Sequence, residues 1–224
     1  LGEINVDIVE AVKARKTVRG FRSDPVPRKI IKEILEISSR APSGMNTQPW
    51  EFTVVSGKAL ETISQENIKL LASGVEGRLT RYEGVYRERQ IELAKQIFKL
   101  MDIPREDKEK RTEWLYRGFR YFDAPAAIIL SMEKSLEGGL SLYDLGLISQ
   151  TICLVALKYD LGTCIGIQGV TFPEVIRKYT GIPESKKIVI SISIGYPDWN
   201  LTPNRLESTR EDIETLTTWH GFND

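Results

Sequence analysis

The chain has 224 residues, 41% of them hydrophobic, which suits a single globular domain, with room for a sizeable insertion. Lysines and arginines (31) balance aspartates and glutamates (31), so there is no basic excess of the kind that grips nucleic acid. One histidine, His220, and two cysteines outside any CxxC pair, Cys153 and Cys164, leave little room for a metal site, a Ser-His triad or a disulfide framework.

The opening Leu1-Gly2-Glu3-Ile4 lacks the basic stretch and apolar core of a secretory signal. No stretch approaches the ~20 apolar residues of a membrane span, and a cytoplasmic chain without a membrane partner is expected. Asp7-Ile8-Val9-Glu10 has the form of a capping box, predicting a short helix with Ile8, Val9 and Val12 turned inward. Pro27 leads into a second helix with Ile30, Ile31, Ile34 and Leu35 along one face. A turn-rich loop from Ala41 to Trp50 precedes a β-branched strand, Glu51 to Ser56, and a helix over Lys58 to Ala72.

Between Glu76 and Arg120 charges of both signs crowd together, with Tyr82, Tyr86, Trp114, Tyr116 and Phe119 among them. This reads as an exposed, lid-like helical insertion at about 76–120, with Pro104 between two helices. An apolar strand follows over Ala126 to Met132. A long, nearly uncharged helix from about Ser141 to Leu157 is apolar most of the way round and is expected at the centre. Thr163 to Gln168 reads as a strand, and Thr171-Phe172-Pro173-Glu174 as the capped start of a helix. Ile188, Ile190, Ile192 and Ile194 alternate with Val189, Ser191 and Ser193, giving a strand with a bulky face and a small one. The long helix is expected against the small face. The tail at about 203–224 is expected to pack as an arm on another surface.

Three segments carry candidate chemistry. Arg15-Lys16-Thr17-Val18-Arg19 sets three cations and a hydroxyl at a helix end, a combination suited to a phosphate monoester. Pro42-Ser43-Gly44-Met45-Asn46-Thr47-Gln48-Pro49-Trp50 presents donors and acceptors that suit the polar edge of a heterocycle. Gly162 to Val170 holds three glycines that can expose backbone amides to a ligand. Each has a plainer reading, as a solvated helix end or a structured turn. Neither a G-x-G-x-x-G after a strand nor a P-loop is present.

In this order and spacing, the segments resemble the nitroreductase superfamily of FMN enzymes. The similarity continues through Tyr121-Phe122-Asp123-Ala124-Pro125, Ile167-Gln168-Gly169 and Gly195-Tyr196-Pro197. The resemblance implies one α+β domain over 1–224, with a central, mostly antiparallel sheet flanked by helices, in an entwined homodimer with FMN at the interface. By match to the family pattern, Arg15, Lys16 and Thr17 hold the phosphate and ribityl end, and Arg19 lies nearer the flavin ring. Pro42, Ser43, Gly44 and Asn46 reach the cofactor from the partner subunit. Arg120 supplies a cation near the pyrimidine side, Gln168 and Gly169 offer amides to N5 and O4, and Arg205 contacts the phosphate.

The implied reaction is ping-pong. NADH or NADPH passes hydride to flavin N5, and a flat electron-poor acceptor, such as a nitroaromatic or quinone, takes the electrons. Charge developing around N1 and O2 is stabilised by fixed cations, and no catalytic side chain or metal is required. Tyr116 and Arg117 are candidates for shaping the acceptor pocket. The resemblance leaves open a reductive dehalogenase or activated-alkene reductase of the same family, and a non-catalytic flavin-binding protein. The Glu-x-x-x-Tyr pair of iodotyrosine deiodinases is missing between Glu76 and Tyr121.

Overall fold

The computed structural model describes residues 7–75 and 81–222. The first residues of the predicted insertion, 76–80, and the opening Leu1-Gly2-Glu3-Ile4 lie outside that range. The architecture is α+β. Strands β1 (Glu51–Ser56), β2 (Ala126–Glu133), β3 (Gly162–Gly166) and β4 (Lys186–Gly195) form a sheet of order β1-β2-β4-β3 in which every neighbouring pair is antiparallel.

Helices α2 (Arg28–Ser38) and α6 (Gly139–Ala156) cover one face of the sheet. Ile31 and Ile34 from α2 and Leu145, Ile148, Ile152 and Ala156 from α6 pack there against Ile128, Leu130, Ile192 and Ile194. Helices α3 (Gly57–Ala72) and α7 (Pro173–Thr180) cover the other, with Leu60, Ile63, Val175 and Ile176 against Ala127 and Ile129. Full burial of each such side chain is worth about 1.5–3 kcal/mol, so the two apolar layers hold the sheet between them.

The long helix therefore sits on the bulky face of β4, not the small one. The small face, with Ser191 and Ser193, is approached by the tight turn Gln168–Val170, and Ser191 Oγ donates to Gly166 O at 2.8 Å. A bulge also interrupts the alternation of β4: Leu130 pairs with Ile190 but Ser131 with Ile188. One extra residue turns everything beyond it to the opposite face, so Ile188 joins the α3/α7 layer.

Helix α6 is apolar all round but only half enclosed. Leu140, Leu142 and Tyr143 are exposed. Contrary to the sequence expectation, Gly139–Tyr159 is long and apolar enough to cross a membrane by length and composition; here it packs as a core helix on the sheet.

Helix α1 (Ile8–Ala14) starts as predicted, with the Asp7 side chain accepting from Val9 N–H at 2.8 Å and Glu10 N–H at 3.2 Å. Glu10 pairs with Lys13 rather than reaching back. Ile8, Val9 and Val12 are exposed and only Ala11 is buried, which reverses the expected inward face. Helix α7 keeps Pro173 in its first turn, but Thr171 does not cap it. Its hydroxyl donates instead to Ile167 O at 3.1 Å.

The insertion forms α4 (Gly84–Leu100) and α5 (Lys108–Phe119), with Pro104 between them. The C-terminal segment runs through a tight turn at Thr202–Arg205 and a short helix α8 (Ile213–Leu216). It is tied to α4 by the Arg89–Glu211 ion pair at 3.0 Å.

Candidate active site

The basic segment leaves α1 in extended form and lies along the edge of β3. Thr17 bridges Thr163 in parallel, and Val18 N–H donates to Thr163 O at 2.9 Å. Extended backbone alternates its side chains. Val18 consequently points inward, 2% exposed, beside Phe21, Phe122 and Cys164, while its neighbours Thr17 and Arg19, both half-buried, line the opposite side. Gly162 makes the close approach possible, since a Cβ there would lie 2.5 Å from Val18 Cγ2.

The outward side chains line a cleft of about 450 Å³ formed by Lys13, Arg15, Lys16, Thr17, Arg19, Leu93 of α4, Leu206, Glu207, Ser208 and Arg210. Five cations thus face one carboxylate. Among the described residues, Arg15, Lys16 and Arg19 have no ion-pair partner. Burial lowers the Arg19 guanidinium below its ordinary range, with a smaller opposing effect from Cys164. The Cys164 thiol is pushed up to about 11 by its own burial. A group of unpaired cations around a small concavity is the electrostatic complement of a phosphate.

Asn204 fixes Arg19 from behind. Fully buried, it accepts from Arg19 N–H at 2.7 Å and donates to Gly20 O and Asp198 O, both at 2.8 Å. The basic segment and the C-terminal turn are thereby stitched into one wall.

Further along the β3 edge comes the Gln168–Val170 turn. It is closed by Val170 N–H to Ile167 O at 3.0 Å and Thr171 N–H to Gln168 O at 3.3 Å. The first amides of such a turn have no internal acceptor, and here these are Gln168 and Gly169. Gln168 is half-buried and Gly169 buried.

Residues 12–196 match the family model described as Nitroreductase family. The chain belongs to the nitroreductase family. It is 31% identical to a 4-nitrobenzoate reductase of Pseudomonas putida over 96% of both chains. It is also similar to the crystal structure of an FMN- and NADPH-dependent nitroreductase, NfnB, from Sphigopyxis sp. strain HMH. There the TM-score is 0.90 and the identity 25%, covering 97% of this chain and 100% of that one. The FMN-dependent NfnB of Mycobacterium smegmatis, in complex with NADPH, superposes with a TM-score of 0.87 at 25% identity over 96% of this chain and all of its own.

Within this family fold, the single chain brings only some of the sequence-predicted residues together. Arg15, Lys16, Thr17 and Arg19 share the cleft, and Gln168 and Gly169 follow on the same sheet edge. Arg205 is not in the cleft; its Nε donates to Trp199 O at 3.3 Å, and Arg210 with Ser208 stands in the wall instead. Arg120 is also elsewhere. It pairs with Glu113 at 2.6 Å and Asp123 at 2.9 Å, which raise its pKa, and it faces a separate concavity beside Ser64 and Pro125. Arg117 pairs with Asp123 at 3.0 Å, and Tyr116 is half-buried on the same helix.

The loop with Pro42, Ser43, Gly44 and Asn46 contributes nothing to this cleft. It is held in a defined shape nonetheless. Met45, Asn46 and Gln48 have φ of 51°, 58° and 47°, a region side chains other than glycine seldom adopt. Ser43 Oγ accepts from Gln48 N–H at 3.0 Å, and the buried Asp144 carboxylate accepts from Gly44 N–H at 3.2 Å. Met45 at its tip is 97% exposed.

Sequence reasoning missed Asn204, Asp144, Ser208 and Arg210. The pattern Ser208-Thr209-Arg210 places a cation beside two hydroxyls, the same kinds of group that the basic segment combines, and was the one available signal.

Proposed function

We propose that this chain is an FMN-dependent NAD(P)H oxidoreductase that reduces nitroaromatics or related flat, electron-poor acceptors. The cleft carries the reading: Arg15, Lys16, Arg19 and Arg210 converge with Thr17 and Ser208 on a space of about 450 Å³ whose charge complements a phosphate, and among the described lining residues only Glu207 opposes them. Bound FMN would supply the two-electron chemistry, taking hydride from NADH or NADPH and yielding electrons to the acceptor in ping-pong fashion. Arg15, Lys16, Thr17, Ser208 and Arg210 hold the phosphate end, and Arg19 places a fixed positive charge nearer the ring. Gln168 and Gly169 offer backbone amides beyond it. The similarity to nitroreductases described as FMN- and NADPH-dependent supports the same cofactor and donor class here.

The remaining predicted contacts fit a homodimer. The strained Pro42–Asn46 loop lies outside the cleft of its own chain and presents an exposed tip, and we assign it to the cofactor of the partner subunit. The exposed Ile8, Val9, Val12, Leu140 and Tyr143 supply apolar area for such an interface. Arg205 lies outside the cleft with one bond, to Trp199 O, and Arg120 is ion-paired to Glu113 and Asp123, so neither supports the cofactor reading in the single chain. Tyr116 and Arg117 belong to the acceptor side of the proposal, on the helix that borders the Gln168 turn.

The test is FMN titration of Arg15→Ala against wild type, followed by fluorescence quenching. Loss of one charge-assisted phosphate contact, worth about 1.5–3 kcal/mol, raises Kd roughly 10- to 100-fold. An unchanged Kd would remove the basic cleft from the cofactor site.

A further inference from the structure

The Gln168–Val170 turn is gripped from beneath by two buried polar side chains. Tyr121, 1% exposed, donates its hydroxyl to Gly169 O at 2.6 Å. Asn67, fully buried on α3, donates to the same oxygen at 3.2 Å and to Phe119 O, at the end of α5, also at 3.2 Å. One carbonyl thus receives two side-chain donors, and three chain segments meet there.

Several features of the sequence serve this contact at a local cost. Tyr121, Phe122 and Asp123 all hold φ between 55° and 60°, a left-handed run that persists only where surroundings enforce it. Gly169 is required, because a Cβ there would lie 2.4 Å from the Tyr121 ring. Asn67 Oδ1 has no partner among the described residues, so its orientation is set by the two carbonyls that its amide serves. Gly118 leaves room for the Gln168 side-chain amide, whose Oε1 would otherwise be 2.1 Å from a Cβ. The Gln168 side chain is thus stowed against α5. Burial pushes the Tyr121 hydroxyl well above its ordinary range, keeping it a donor at every working pH.

We propose that Asn67 and Tyr121 are positioning residues for the cofactor: by locking Gly169 O from below, they aim the free Gln168 and Gly169 amides at one fixed place on the electron-accepting edge of the flavin. This rests on the FMN reading above. Neither side chain lines the cleft, and both act only through the turn. A fixed donor favours the electron-richer form of whatever it faces, since no reorganisation is needed as charge develops. Loosening the clamp therefore disfavours reduction.

The experiment uses FMN-loaded wild type, Tyr121→Phe and Asn67→Ala. The flavin midpoint potential is measured by equilibration with reference dyes, the visible spectrum is recorded, and amide exchange is followed over residues 167–171. Both variants should retain FMN, show a more negative potential and an altered flavin band, and exchange the turn amides faster. Variants that hold FMN with wild-type potential and spectrum would overturn the proposal, even with lowered thermal stability, because the clamp would then be structural alone. Should Tyr121→Phe fail to fold, Asn67→Ala carries the same test with the tyrosine bond intact. Wild type that takes up no FMN would instead refute the FMN reading, and the clamp with it, a result distinguished by appearing without any substitution.

Discussion

Replacing Asn204 with alanine tests whether the cation wall depends on one buried amide. The substitution removes three hydrogen bonds of 2.7–2.8 Å. Two of the groups released keep a second partner: Gly20 O still accepts from Asp198 N–H at 3.1 Å, and Asp198 O from Leu201 N–H at 3.2 Å. Only the Arg19 N–H is left with none. At about 0.5–1.5 kcal/mol per net hydrogen bond, the loss comes to about 2–4 kcal/mol. For a chain of this length that lowers Tm by roughly 5–15 °C. Thermal unfolding followed by circular dichroism, without cofactor, measures it. A second effect follows from position: with Arg19 no longer pinned to the C-terminal turn, FMN affinity should fall roughly ten-fold. Asn204→Asp separates the two, keeping an acceptor for Arg19 N–H while losing both donors. A Tm within about 1 °C of wild type for Asn204→Ala would refute the reasoning, since three bonds to a fully buried side chain cannot be lost at so small a cost.

Two further outcomes are expected. Gly169→Ala drives a methyl into the Tyr121 ring and should destabilise the fold by about 1–3 kcal/mol, as overpacking does; urea unfolding would show it, and an unchanged midpoint would mean that the turn can move away. The Cys164 thiol, pushed up to about 11, titrates above its ordinary value of 9. The folded state therefore holds the proton more tightly, so this contribution to stability is complete below pH 9 and is lost as pH rises toward 11. The loss reaches up to roughly 3 kcal/mol. Urea midpoints of wild type should fall more steeply over that window than those of Cys164→Ala, and parallel curves would contradict the assignment.

Local patterns translated well into elements where they did not depend on what lay across from them. The β-branched run Glu51–Ser56 became β1 with the same bounds, and the Ile30/Ile31/Ile34/Leu35 stripe became the face of α2 that meets the sheet. What failed was partnership. An apolar stripe on α1 says that something covers it, not which chain, and Ile8, Val9 and Val12 stay exposed in the single chain. The isoleucine alternation in β4 was visible, but a bulge is set by pairing with β2 and leaves no mark on periodicity. In the site, Arg15 to Arg19 were legible because charge clusters are local. Asn204 and Asn67 were not, and Tyr121 was visible only as part of the Tyr121–Pro125 segment without its role, since a polar residue becomes structural only through carbonyls distant in sequence. Arg205 and Arg210 differ by five positions, and only the path of the turn decides which of them enters the cleft.

The most direct measurement is an anaerobic absorbance spectrum of the purified protein incubated with FMN and desalted, then treated with NADPH or NADH, then with a nitroaromatic. The account predicts a retained oxidised-flavin band that a nicotinamide bleaches and the nitroaromatic restores. A protein that retains no flavin band would contradict it.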